Sequence, residues 1–271
     1  MSRPAELAVI GGSGLYALLD NAEDHLVDTP YGPTSDPITI AEVAGRRVAF
    51  LPRHGRNHQH PPHRIPYRAN LWALRELGVS QVLAPCAVGG LRPDLGAGSF
   101  IVPDQLIDRT TGRTQTFFDT GAVHVAFADP YCPAGRATVL STAQARALPV
   151  TGGGTMVVIE GPRFSTRAES QWYAAAGASC VNMTGHPEAV LARELGLCYT
   201  AIALVTDLDA GVAGDRGVTQ EEVFRVFAEN TDRMRGLLLA SLARLPGERT
   251  CPCPSAVPEP AAAQAGAPDQ A

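Results

Sequence analysis

The sequence predicts an α/β fold, a single domain with a mixed central β-sheet flanked by helices. Short apolar runs alternate with stretches of helical period along most of the 271 residues. Several runs are continuously apolar, the pattern of strands covered on both faces. Residues 37–53 read as an antiparallel hairpin turning at AGRR, so the sheet is not purely parallel.

In chain order the strand-like runs are LAVIGG (7–12), PITIAEV (37–43), RRVAFLPR (46–53), SQVLAPCAVGG (80–90), SFIVPDQLI (99–107), TMVVIEG (155–161), ASCVNMTG (178–185) and CYTAIALVTDLD (198–209). Helical patterns fill 67–78, 165–177, 186–196 and 219–245. Thr166 precedes Glu169 and Thr219 precedes Glu222, both at capping-box spacing. Pro187 suits a first helical turn, and Gly78, Gly177 and Gly196 stand where helices stop. The folded domain is expected over 1–246. Most of the Pro- and Ala-rich stretch 247–271 is expected to be disordered. No internal repeat is present.

A chain that is 45% hydrophobic can bury a sizeable core. A net charge of −5 argues against a general nucleic-acid binder. No apolar run approaches the ~20 residues that cross a bilayer. The first residues lack a basic segment followed by a long apolar one, so a cytoplasmic protein is expected. Cys86, Cys180 and Cys198 lie in apolar strand-like runs, as buried free thiols do, and Cys132 lies in a loop. Cys251 and Cys253 form a C-x-C pair, not the wider spacing of an ordinary zinc half-site.

Chemistry-bearing residues gather at the ends of strand-like runs, where open α/β sheets bind ligands. In VIGGSGLY, glycines let successive N–H groups converge on an anion and Ser13 adds a hydroxyl; a tight structural turn fits equally. The spacing is not G-x-G-x-x-G, which disfavours a dinucleotide-binding oxidoreductase. In LPRHGR, Arg53 offers a planar fork of donors matched to phosphate and His54 another donor; the alternative is a solvated basic loop. His58, His60 and His63 follow without an acidic or cysteine neighbour, so no metal is expected there. APCAVGG brings Cys86 and Ala87 to a third strand end, with glycines that allow close approach.

Asp207 and Asp209 close the longest apolar strand. At i and i+2 they face one side, and crowding raises at least one pKa. A carboxyl held neutral donates a hydrogen bond to a ring nitrogen. Asp209 could instead simply begin a turn. Phe164 and Ser165 precede a capped helix, where the ring either stacks on a flat ligand or staples the helix. Met183 and Thr184 follow the run near 180, as ligand contacts or as an interior methionine and a loop threonine.

In this order, the blocks VIGGSG, DTPYGPTSDPI, PRHGRNH, PYRANLWALRELG, DQLIDRTTGR, ADPYCP, TMVVIEGPRFSTRAES, VNMTGHPEAVLARELGLCY and VTDLDAG resemble the 5′-methylthioadenosine phosphorylases of the trimeric purine nucleoside phosphorylase group. The resemblance covers most of 7–245 and makes 1–246 a nucleoside phosphorylase catalytic domain. It implies that phosphate attacks the anomeric carbon of S-methyl-5′-thioadenosine, releasing adenine and 5-methylthioribose 1-phosphate through an oxocarbenium-like transition state. Phosphate is then a co-substrate, and no metal or organic cofactor is used.

By the same resemblance, Ser13, Arg53, His54, Cys86, Ala87 and Thr184 contact phosphate. Relatives carry threonine at the first and fourth of these positions. Met183 backs the ribose, Phe164 packs on the purine and Ser165 reaches the base. Asp207 protonates N7, and Asp209 accepts from the 6-amino group, where relatives acting on 6-oxopurines tend to carry asparagine. His124 (from a neighbouring subunit of a homotrimer), Gln220, Val223 and Phe224 fall near the 5′ pocket, with Gln220 replacing an aliphatic residue. Some relatives from heat-loving organisms bridge the C-x-C pair; a reduced pair is expected here. The competing readings are a phosphorylase of 6-oxopurine nucleosides or methylthioinosine, and a non-catalytic purine-nucleoside sensor.

Overall fold

The computed structural model describes residues 4–12, 22–212, 214 and 217–257. Eleven strands form one branched sheet: β1 Leu7–Gly11, β2 Glu23–His25, β3 Ile38–Val43, β4 Arg46–Pro52, β5 Gln81–Gly90, β6 Phe100–Val102, β7 Gln105–Arg109, β8 Val150–Gly152, β9 Thr155–Ile159, β10 Cys180–Asn182 and β11 Cys198–Leu208. The helices are α1 Tyr67–Glu76, α2 Pro133–Ala145, α3 Arg167–Ala175, α4 Gly185–Glu194 and α5 Gln220–Arg244.

The continuous apolar runs are buried on both faces. Along β1, Ala8 and Ile10 pack into a layer with Leu71, Leu74 and Leu191 of α1 and α4, while Leu7 and Val9 pack with Val139, Met234 and Leu238 of α2 and α5. Alternation of side chains across the pleat thus feeds two cores, one on each side of the sheet. The β3–β4 hairpin turns at Ala44 and Gly45, with φ of 51° and 76°, as a two-residue turn matched to strand twist requires.

The strand β5 organises the site. One of its edges pairs with β11 along the whole strand. The other pairs with β1 only over Gln81–Leu83 and with β10 only at Gly89 and Gly90. Ala84–Val88 therefore have no ladder partner on that edge among the described residues. The sheet forks here, with β10, β9 and β7 on one branch and β11, β6 and β8 on the other. Pro85, which cannot donate to a ladder, sits in the gap.

Several elements differ from the sequence reading. The run 99–107 is two strands, because Pro103 breaks the ladder and the chain crosses from β11 in one branch to β9 in the other. The short strands β2 and β8 and the helix α2 were not anticipated. The α2 segment carries threonines, a valine and a glycine with a weak apolar stripe, and its start signal is unusual: Cys132 caps it, accepting from the Gly135 N–H. The two anticipated threonine caps form, with both arms of the capping box at Thr166 and Glu169. Residues 247–257 pack on the body, burying Cys253 and Val257, and the tail cysteines cluster there with Cys132, Cys198 and Ala134. Residues 258–271 lie outside the described residues.

Candidate active site

A cavity of about 580 Å³ opens at the fork of the sheet. Its walls are the ends of β4, β5, β10 and β11, the loop 53–62, the approach to α3 and the first turns of α5. Arg53, His54, Cys86, Ala87, Phe164, Ser165, Met183, Thr184, Asp207, Asp209, Gln220, Val223 and Phe224 all line it. His124 is exposed and lies elsewhere on this chain. Ser13 lies outside the described residues, although its neighbour Gly12 is on the wall. Arg53 and Asp207 face the same space, the relationship on which a nucleoside-binding reading depends.

At one end of the cavity, Arg53 departs from expectation. Its fork does not project toward a ligand. Nε and Nη2 donate to the Glu188 carboxylate at 2.7 and 2.8 Å, Nη2 also to the Ile10 carbonyl, and Nη1 to the Pro85 carbonyl. Four of its five N–H groups are thereby engaged. The residue is only 3% exposed, and the Glu188 charge holds its guanidinium firmly protonated against the cost of burial. Arg53 ties the diverging ends of β1 and β5 together and leaves one N–H for an anion.

His54 also departs from the donor role. Nδ1 lies 2.9 Å from the His60 carbonyl, which can only accept, so Nδ1 carries the proton. Burial, with Arg53 adding its charge, pushes the imidazole down to about 4. In the neutral ring Nε2 is then an acceptor. His58 stacks parallel on His54 at 5.5 Å and meets Phe224 edge-on at 6.1 Å, so the histidine loop closes against α5. His58 and His60 line the cavity, whereas His63 is exposed.

Asn182 shapes the same end. Its Nδ2 donates to the Ala87 carbonyl, and its Oδ1 accepts from the backbone N–H of Thr184 and Gly185. Those amides are therefore occupied, and the Thr184 hydroxyl also lies within 3.4 Å of Asn182 Oδ1, while Thr184 lines the cavity. The Cys86 thiol is pushed up to about 12 by burial, so it is present as a neutral weak donor.

At the other end, β11 carries a bulge between Val205 and Asp207. It re-aims the strand so that both carboxylates reach the cavity wall. Asp207 Oδ2 accepts from the Thr206 hydroxyl at 2.8 Å, and the buried Oδ1 has no partner. Burial raises this carboxyl to about 6, opposed by the Thr206 hydrogen bond and reinforced by Asp209. Asp209 is 3% exposed, and its Oδ2 accepts from the Ser170 hydroxyl at 2.7 Å. Gly89 leaves little room beside them: a Cβ there would stand 3.0 Å from Val181 Cγ1, 3.2 Å from Asp209 Cβ and 3.3 Å from Asp207 Oδ1, so these neighbours would have to shift. The Ser165 hydroxyl is also buried without a partner. An unpartnered carboxyl oxygen and an unpartnered hydroxyl on one wall offer hydrogen bonds to a flat polar ligand.

Residues 6–243 match the family model described as Phosphorylase superfamily. The chain belongs to the phosphorylase superfamily. A Streptomyces coelicolor protein named purine nucleoside phosphorylase is 61% identical over 264 residues, covering 93% of this chain and 94% of its own. A Mycobacterium tuberculosis protein named S-methyl-5′-thioadenosine phosphorylase is 60% identical over 248 residues, covering 90% and 91%. Among solved structures, a methylthioadenosine phosphorylase sourced from an antarctic soil metagenomic library superposes with a TM-score of 0.89 at 38% identity, covering 95% of this chain and 92% of its own. The sequence resemblance and the mixed-sheet fold are thus borne out.

In this phosphorylase, the cavity depends on residues that sequence reading passed over. Glu188, Tyr199, Asn182, Ser170 and Thr206 hold the wall residues in place. So does Arg113, whose guanidinium donates to the carbonyls of Met183, Glu160 and His186. Glu188 carried a signal: a glutamate in the first turn of a helix that is otherwise buried, with Arg53 as a complementary charge. No local pattern marks the others, because their partners are remote in sequence.

Proposed function

We propose that this phosphorylase cleaves S-methyl-5′-thioadenosine with inorganic phosphate, giving adenine and 5-methylthioribose 1-phosphate. The observation that carries this reading is the pair Asp207 and Asp209 on one wall of a cavity whose other end holds Arg53, His54 and Thr184. Phosphate binds at the second end, with Ser13, Cys86 and the Ala87 backbone completing its contacts. The ribose lies over Met183, and the purine lies between Phe164 and the carboxyl wall.

The chemistry follows from charge. As the glycosidic bond breaks, positive charge builds on the sugar and negative charge on the base. The phosphate oxygens face the first. Asp207, whose pKa raised to about 6 keeps a fraction of it protonated near neutral pH, gives its proton to N7 from that form, so a neutral purine leaves and Asp207 is left as a carboxylate. Asp209, fixed by Ser170, accepts from the 6-amino group. Gln220, Val223 and Phe224 face the 5′ substituent, and His124 reaches the 5′ pocket of a neighbouring subunit in a homotrimer. The enzyme acts in the cytoplasm and needs no metal or organic cofactor for the reaction. No helix among the described residues is long and apolar enough to cross a membrane.

A second reading extends the substrate range. Gln220 puts an amide in the wall facing the 5′ end, which favours admission of a 5′-hydroxyl. The name of the Streptomyces relative supports it. A panel of methylthioadenosine, adenosine, methylthioinosine and inosine, compared by kcat/KM with phosphate present, separates the readings. The proposal expects the two 6-amino nucleosides to lead by about a hundredfold, with methylthioadenosine first. Cleavage of inosine without cleavage of methylthioadenosine would reject it.

A further inference from the structure

Outside the cavity, four cysteines from distant parts of the chain converge. Cys132 caps α2, Cys198 opens β11, and Cys251 and Cys253 come from the tail that folds back over them. Their sulfur atoms all lie within 4.8 Å of one another, and Cys198 Sγ is 3.3 Å from Cys251 Sγ. A tetrahedral zinc ion with Zn–S bonds of about 2.3 Å spaces its sulfurs about 3.8 Å apart. The four sulfurs therefore reach that geometry by shifts of less than about an ångström.

We propose that Cys132, Cys198, Cys251 and Cys253 form a structural zinc site. The C-x-C spacing did not suggest it, because the fold and not the sequence brings the third and fourth ligands. The surroundings suit a thiolate cluster. Cys132 stands at a helix N-terminus, and the Gly135 N–H donates to its sulfur at 3.4 Å, which favours the anionic form. Cys132, Cys198 and Cys253 are 1%, 4% and 0% exposed, while half-buried Cys251 leaves an approach for the ion. On binding, Zn²⁺ displaces the remaining thiol protons to solvent and all four sulfurs coordinate. Closed four-sulfur coordination supplies stability and no open position for chemistry. The site pins the tail at 251–257 to the segment before α2, where the Ala126 N–H also donates to the Ala256 carbonyl.

The test is metal content and thiol count on the whole protein. The chain is prepared in zinc-supplemented, chelator-free buffer and dialysed. The proposal expects about one zinc per chain and, after denaturation with a chelator, all six cysteines reactive as thiols. Cobalt added to the zinc-stripped protein should give thiolate-to-metal charge-transfer absorption, and chelation should lower the Tm. Cys251→Ser should reduce bound zinc about tenfold or more. If that variant fails to fold, the zinc content and cobalt spectrum of the unchanged protein still decide. Zinc lost on dialysis, six thiols without zinc, or four of the cysteines bridged as disulfides would each overturn the proposal.

Discussion

Arg53 and Glu188 form a two-point ion pair in the cavity floor, Nε to Oε2 at 2.7 Å and Nη2 to Oε1 at 2.8 Å. Both side chains are at most 4% exposed, and the Tyr199 hydroxyl donates to the same Glu188 oxygen at 2.7 Å. A charge held this deeply is matched chiefly inside the protein, so the arginine positions strands as well as ligand. Removing the carboxylate strands the guanidinium. Glu188→Ala should cost about 3–5 kcal/mol of stability, read by chemical denaturation. A loss under about 1 kcal/mol would mean that the pair contributes little to holding the site.

Asp207 links stability to pH. Its folded pKa, raised to about 6 from 3.8, disfavours the carboxylate in the folded protein. The protonated form is therefore the better tolerated one, and stability from this group is full below its unfolded pKa and is lost as pH rises through about 6. Asp207→Asn removes that penalty. The ligand-free variant should have a higher Tm than the parent at about pH 8, by an amount worth roughly 2–3 kcal/mol, and the gain should vanish near about pH 4. A variant less stable at both pH values would contradict the burial argument. Its turnover of methylthioadenosine should fall by well over about tenfold, since an amide gives N7 a hydrogen bond but no proton.

Binding of methylthioadenosine, whose N9 carries the sugar so that N7 can only accept, should report the same proton. Below about pH 6 Asp207 donates to N7; above it two acceptors face each other. Methylthioadenosine affinity of the phosphate-free enzyme should weaken by up to about tenfold per pH unit above that point, as followed by calorimetry. In Asp207→Asn the profile should flatten. Affinity that rises with pH would remove Asp207 from the base site.

His54 predicts a proton linked to phosphate. With Nδ1–H given to His60 and a pKa near about 4, the free ring presents an acceptor to an anion. Phosphate binding must either bring a proton as the monoanion or draw one onto Nε2. Calorimetric titration of phosphate at about pH 7.5 in buffers of different ionisation enthalpy should show proton uptake approaching one per site. His54→Ala should abolish the uptake. Equal heats in all buffers would exclude this arrangement.

Asp209 carries the choice of base. Ser170 fixes one of its oxygens. Asp209→Asn presents an amide donor to a 6-oxo group, so the ratio of kcat/KM for methylthioadenosine over methylthioinosine should fall about a hundredfold. An unchanged ratio would show that another residue reads position 6.

Much of this was legible in the sequence, and the gaps have physical causes. Continuous apolar runs marked β1, β4, β5 and β11 because their residues are buried on both faces. Thr166 and Glu169 marked the start of α3 because a capping box is local. Arg53, His54, Cys86, Ala87, Asp207 and Asp209 were legible because they stand at strand ends, whereas Gln220, Val223 and Phe224, on α5, came only from the resemblance. What escaped depends on contacts between distant residues: α2 leans on packing rather than a strong stripe, Glu188 meets Arg53 across the molecule, and four cysteines meet only after the tail folds back. The direction of the Arg53 fork was misread for the same reason. A sequence displays an arginine's donors but not the carboxylate already waiting for them.

The central claim is that one cavity presents phosphate and a protonated carboxyl to the same nucleoside. It is tested most directly by incubating the enzyme with methylthioadenosine and measuring free adenine and consumed phosphate together. Equal amounts of the two, and no adenine when phosphate is omitted, is the predicted result. Adenine released at the same rate without phosphate, or none released with it, would contradict the account.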